Sequence, residues 1–273
     1  MAGRNNIKDK ATFPPAPDIT GEAQKLFEEA ARTAGYDPHD KWVGSYVEYE
    51  WTHLRPLLGV YGFNPAGLHV LEFGCNVGAS SIVMAAMGGN VTAIDVDEQM
   101  IAISGANLLR HNLKDCVEIV HVTDTRAQPF ADESFDLVLA NSVLEYVAPD
   151  ELPAILKEIH RVMKPSGRML LCGTASRLAP REIHSGRWFV NYLPRWIDRL
   201  VDKKLQRGLS PFHLAKSLQG RFAVVPGGYW LNGRLAVHSS LSFSVRGFEW
   251  ICRAIGIEPG WLAPNIELLL RKN

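Results

Sequence analysis

The sequence has no surplus of either charge: 29 Lys plus Arg stand against 29 Asp plus Glu in 273 residues. Without a global positive field, nucleic acid has no electrostatic signature as a partner, and only local basic patches remain. Cysteine is scarce. Cys75, Cys116, Cys172 and Cys252 are far apart in the chain, which argues for buried free thiols rather than a disulfide framework or a metal site. No uninterrupted apolar run is long enough to cross a bilayer, and residues 1–18 are polar and proline-containing, without the apolar centre of a signal peptide. A cytoplasmic location is the resulting expectation. No internal repeat or low-complexity run stands out. What is present is ordinary for a globular protein with ample core, 47% hydrophobic and 21% charged, so one large domain with additions is expected.

Residues 1–18 read as a disordered tail, because Phe13-Pro14-Pro15-Ala16-Pro17 cannot sustain a helix. Residues 19–65 read as a helical segment. Leu26, Phe27 and Ala30 fall at helical spacing, with Thr20 or Asp18 as candidate cap and Gly35 as stop. An aromatic-rich helix over residues 42–58 carries Tyr46, Tyr49, Trp51 and His53 and reads either as packing or as a lid over a ligand loop. From residue 69 strand and helix alternate. Strands are expected at 69–73, 90–95, 117–123, 135–141 and 168–173, and helices from 79, at 98–109 and at 150–163, the last with Leu152, Ile155, Leu156, Ile159 and Val162 on one face. This alternation calls for an α/β fold with a mostly parallel sheet covered by helices on both faces. Residues 175–243 lack the rhythm and read as an inserted cap. A last helix at 245–255 and a strand pair, 260–262 with 266–271, complete the chain.

The stretch Val70-Leu71-Glu72-Phe73-Gly74-Cys75-Asn76-Val77-Gly78 joins a buried strand to a helix through a glycine turn. Such a loop brings backbone N–H groups and a helix N-terminus to a ligand, and Glu72 adds a carboxylate. Alone it is equally an ordinary turn. Asp95 closes the second strand roughly 20 residues further on, the offset at which an acid meets a ribose diol in nucleotide-binding units. Asp124, beyond the third strand, could accept from an exocyclic amine or serve as a turn residue. Three acids at the ends of three successive strands are more specific than the glycines.

On these residues the chain resembles the class I S-adenosylmethionine-dependent methyltransferases of the small-molecule group. The same resemblance is carried by Ile94-Asp95-Val96-Asp97, Thr123-Asp124, Phe135-Asp136-Leu137-Val138 and His160-Arg161-Val162-Met163-Lys164-Pro165-Ser166-Gly167, over about residues 66–174. It implies a Rossmann-like, mostly parallel seven-stranded sheet with the cap inserted after the fifth strand. It also implies S-adenosylmethionine as cofactor, no metal, and the 244–273 end as the family's last helix and strand pair. Gly74, Cys75 and Gly78 would flank the methionine part, with Asp95 and Val96 at the ribose. Thr123, Asp124 and Thr125 would lie at the adenine, and Asn141 and Ser142 would border the sulfonium. Asn76 replaces the family's middle glycine, which asparagine tolerates in a left-handed conformation.

The acceptor is sought in the cap. Arg181, His184, Arg187, Trp188, Tyr192, Arg195, Trp196 and Arg199, with Lys203 and Lys204, read as a solvated amphipathic helix, as a pocket cap for an anionic acceptor, or as a peripheral membrane contact. His184 is the first choice for a general base, with His213 and His238 behind it. Glu145 and Tyr146, just past the fourth strand, are placed to touch the acceptor. The neutral charge and the absence of an Asn-Pro-Pro-Tyr-like motif after the fourth strand argue against nucleic acid. The expected reaction is methyl transfer to an oxygen or nitrogen of a small organic molecule. A nicotinamide-dependent oxidoreductase and a non-catalytic S-adenosylmethionine-binding module are the alternatives.

Overall fold

A computed structural model of the chain describes residues 16–183, 186–194, 197, 207–238 and 241–273. Residues 1–15, which hold most of the expected tail, lie outside that range. Seven strands form one sheet in the order β3 (Val117–His121), β2 (Asn90–Asp95), β1 (His69–Phe73), β4 (Phe135–Asn141), β5 (Met163–Ala175), β7 (Asn265–Lys272), β6 (Phe222–Val224). The backbone separates into two compact units, Met1–Thr123 with Asn232–Leu241, and Asp124–Leu231 with Ser242–Asn273.

The first unit holds three parallel strands, β1 (His69–Phe73), β2 (Asn90–Asp95) and β3 (Val117–His121). Val70, Leu71, Ala93 and Ile94 are fully buried, as a strand covered on both faces requires. Its helices are α1 (Glu22–Thr33), α2 (Tyr46–Val60), α3 (Ala79–Ala86) and α4 (Glu98–Arg110). α3 follows the glycine turn and is buried along almost its whole length, because it carries no charged residue. Asp97 caps α4 by accepting from the Gln99 N–H at 2.8 Å. α1 starts at Glu22, later than its sequence pattern suggests. Asp18 Oδ1 accepts from the N–H groups of Thr20 and Gly21, which makes a turn of those residues and leaves Gly21 as the cap. Within this unit α1 packs on α4 and α2 on α3.

The second unit holds β4 (Phe135–Asn141), β5 (Met163–Ala175), β6 (Phe222–Val224) and β7 (Asn265–Lys272). β4 and β5 are parallel, and β7 runs antiparallel to both β5 and β6. Leu137 to Ala140 and Met169 to Leu171 are completely buried, as strands covered on both faces require. α5 (Leu152–Val162) places its apolar stripe inward, and α6 (Pro211–Leu218) packs beside it. α8 (Phe243–Ala254) also belongs to this unit, and α7 (Tyr229–Val237) begins in it and continues into the residues that group with the first. Two expectations are corrected here. The strand expected at 260–262 is a 3-10 turn, Pro259–Trp261, because Pro259 supplies no N–H to a ladder, and β7 pairs instead with β6 in the middle of the insertion. β5 also begins at Met163, directly after α5, rather than at residue 168.

Candidate active site

In the first unit the loop after β1 turns on residues of positive φ: Gly74 at 78°, Asn76 at 49° and Gly78 at 76°. Asn76 therefore has the left-handed conformation that its substitution for glycine demands. A Cβ on Gly78 would come within 2.4 Å of Ser104 Oγ, so backbone angle and close approach to α4 both exclude a larger residue. Gly74 and Cys75 both donate from N–H to the Ile94 carbonyl at 2.9 Å, and Asn76 donates to Asp95 Oδ2 at 2.8 Å. The second Asp95 oxygen accepts from the Asp97 N–H at 3.0 Å. The loop is thus fastened to the end of β2, and Asp95 remains half-exposed and open to further donors. Val96 beside it is exposed.

Glu72 lies beneath this loop and is buried, with its carboxyl held by Ser81 Oγ. Burial pushes it up to about 8, Ser81 and Ser80 oppose the shift, and the nearby carboxyls of Glu50 and Asp95 add to it. The Cys75 thiol is also pushed well up by burial, which leaves it protonated and inert. An acid pair of this kind suits a ligand that presents both positive charge and a hydroxyl pair, the donor set implied by the cofactor that the sequence resemblance names.

Behind the loop stands a polar chain that sequence reasoning missed. Asn107 Nδ2 donates to the Val77 carbonyl at 2.6 Å, and Asn107 Oδ1 accepts from Arg110 Nε at 2.7 Å. Arg110 donates onward to the Gly44 carbonyl at 2.8 Å, and its guanidinium lies 3.6 Å from the centre of the Phe27 ring. It is buried, and burial lowers its pKa to about 10. Nothing local in Leu-Leu-Arg-His marks a buried arginine. Glu50 was more legible: it shares a helical face with Val47, Trp51 and Leu54, so a charge on an apolar stripe was the available signal.

In the second unit β4 ends in Asn141 and Ser142, the latter at φ 53°. Ser142 N–H donates to the Cys172 carbonyl at 2.9 Å. A Cβ on Gly173, itself at φ 65°, would meet Ser142 Oγ at 2.3 Å and Asn141 Oδ1 at 2.6 Å, so this glycine lets those two polar groups sit against β5. Glu145 follows in a short 3-10 turn and is buried. Burial pushes its carboxyl up to about 7, opposed by its own N–H, the Ala175 N–H and the Thr174 hydroxyl. Tyr146 is exposed. Asp124 is exposed and engaged by Arg126, whose Nε and Nη2 reach its two oxygens at 2.8 and 3.1 Å, holding the carboxyl below the usual range. Thr125 accepts from Gln128 through its carbonyl at 3.3 Å. Thr123, at the end of the first unit, is exposed.

His184 lies outside the described residues, as do Arg195, Trp196, Arg199, Lys203 and Lys204. Of the other histidines, His213 is tied to the Pro149 carbonyl at 2.6 Å in the second unit, and His238 is exposed and groups with the first. Among the described residues no cluster of His, Cys, Asp and Glu could hold a metal ion, and no helix is long and apolar enough to cross a membrane.

A family model described as a methyltransferase domain matches residues 71–171. The demethylmenaquinone methyltransferase of Symbiobacterium thermophilum is 31% identical over 214 residues, covering 75% of this chain and 81% of that protein. Three further demethylmenaquinone methyltransferases are matched over 41% to 59% of their own length. Among solved structures, an S-adenosylmethionine-dependent methyltransferase of Mesorhizobium loti aligns with a TM-score of 0.53 at 17% identity, over 81% of this chain and 97% of that one. A [4+2]-cyclase aligns with a TM-score of 0.54 at 19% identity, over 96% and 99%. At those identities the two structures speak for the fold, which hosts more than one chemistry. The sequence relative spans most of both proteins, and with the domain match it places this chain in the class I S-adenosylmethionine-dependent methyltransferases.

Proposed function

We propose that the protein transfers the methyl group of S-adenosylmethionine to an oxygen or nitrogen of a small organic acceptor, and that Glu145 is the base that takes the acceptor's proton. The observation that carries this reading is the Glu145 carboxyl. It is buried behind the end of β4, held by neutral donors, and raised to about 7, where a base can hold and release a proton near neutrality. Asn141 and Ser142, four and three residues before it, would border the reacting centre.

In the first unit, Glu72 and Asp95 with the Gly74 to Gly78 loop would hold the cofactor, Glu72 through positive charge and Asp95 through hydroxyls. Asp124 would accept the adenine amine only by sharing its oxygens with Arg126. Bound S-adenosylmethionine supplies an already activated methyl group, so the protein's own task is to orient the acceptor, exclude water and manage one proton. A small-molecule acceptor agrees with relatives named for demethylmenaquinone and for ubiquinone biosynthesis. Arg181 and Arg187, both exposed, are the described groups that would meet an anionic substituent on it.

The test is a metabolite screen that follows labelled methyl from the cofactor into products, with the methylated atom identified by mass and NMR spectroscopy. A labelled O-methyl or N-methyl small molecule is expected. Labelled carbon, protein or nucleic acid would overturn the acceptor class.

A further inference from the structure

The methyl-transfer reading leaves unused a cluster of aromatic side chains at the start of α2. Trp42 stands 5.5 Å from Tyr46 and 5.0 Å from Tyr49, centre to centre, with its ring nearly perpendicular to both, at 83° and 71°. Tyr46 and Tyr49 are 5.9 Å apart and inclined by 34°. The three rings therefore make two walls that meet at a steep angle. His53 stacks on Tyr49 at 3.8 Å and braces that wall.

The corner already holds a cation. Lys41 Nζ lies 4.5 Å from the Trp42 ring centre and 5.1 Å from that of Tyr49, inside the range where a ring face attracts positive charge. Among the described residues this ammonium has the rings and no carboxylate partner. Behind the rings, Tyr46 is hydrogen-bonded to the buried Glu50 carboxyl. Trp42 is half exposed, so the corner is reachable from water.

We propose that Trp42, Tyr46 and Tyr49 form a binding site for the alkylammonium group of a small molecule, with Lys41 as a resident occupant that the ligand displaces. The chemistry selects that ligand class. A divalent metal ion needs several oxygen ligands, which ring faces do not provide. A lysine ammonium is compact and strongly hydrated, so it gives up water to enter the corner, whereas a methylated ammonium is large and weakly hydrated and exchanges little water for the rings. For methyl transfer this implies an amine-bearing acceptor, a link that rests on the proposed function; the site itself does not.

The experiment is calorimetric titration of the full-length protein with choline and with 3,3-dimethylbutan-1-ol, its uncharged isostere. Choline should bind and the isostere should bind at least about tenfold more weakly, the difference being the charge on the rings. Trp42→Ala should lose about tenfold in choline affinity, and Trp42→Leu, which keeps apolar bulk but no ring, should lose the same. Lys41→Met should bind choline severalfold more tightly. S-adenosylmethionine affinity should be unchanged in all three variants, which separates failure of this site from failure of the methyltransferase reading. Equal binding of choline and its isostere, retained affinity in both Trp42 variants, or no gain in Lys41→Met would each overturn the proposal.

Discussion

Glu72 in the first unit and Glu145 in the second are both buried near the end of a strand, and the comparison between them separates binding from proton transfer. Glu72 is raised to about 8 in the company of two other acids, Glu50 and Asp95. Glu145 is raised to about 7, with the Thr174 hydroxyl and two backbone N–H groups opposing the shift. Burial is the first cause in both. The surroundings then differ: a buried acid beside other acids waits for a positive charge, whereas one held by a hydroxyl and backbone N–H groups is poised to change protonation near neutrality.

The sharpest way to break this contrast is Glu145→Gln. With a hydroxyl or ammonium acceptor, kcat should fall by about 10²–10⁴ while cofactor affinity stays put. The wild-type rate should climb through about pH 7 as Glu145 ionises, and the variant should lose that limb. An unchanged rate and profile would return Glu145 to a structural role. Next in size is Glu72→Gln, which should weaken S-adenosylmethionine binding by about 1–3 kcal/mol in calorimetry with little effect on kcat at saturating cofactor. Asp95→Ala should also weaken cofactor binding, toward the lower end of about 1–3 kcal/mol because the carboxylate is half-exposed; unchanged affinity would remove Asp95 from the site.

The smallest effect is on stability against pH. Both folded carboxyls have pKa values above the ordinary 4.5, so the folded chain holds these protons more tightly than the unfolded one. Their contribution is complete below about pH 4.5 and is lost as pH rises toward 7 for Glu145 and 8 for Glu72. Glu72→Gln should therefore gain Tm relative to wild type between pH 5 and pH 9, as melting curves at the two values would show. An equal offset at both would mean that Glu72 does not titrate in the folded state.

Much of the first unit was legible because its signals are local. Strands at 69–73 and 90–95, and in the second unit at 135–141, coincide with short apolar runs bounded by turns. The left-handed Asn76 follows from glycine-like demands at one position. The rest depends on contacts between distant residues. β6 is only Phe222–Val224, too short to announce itself, and it exists because β7 offers an edge far along the chain. Arg110 carries no local signal of burial, and it is Gly44 and Phe27, far away in the chain, that enclose it together with Asn107. The burial of Glu145 has no periodic signal, since Val143-Leu144-Glu145-Tyr146 forms a single irregular turn.

The contact of α4 with the loop after β1 bears on how fast the cofactor leaves. Ser104 fits against Gly78 and Asn107 grips the Val77 carbonyl, so the loop is cast in shape while the chain folds. Its ordering entropy is then spent before any ligand arrives, and little remains to be lost on association. If this loop holds the cofactor as proposed, a change at Asn107 or Arg110, whose polar groups bind the protein's own backbone and each other, would therefore register as a shorter residence time of the cofactor.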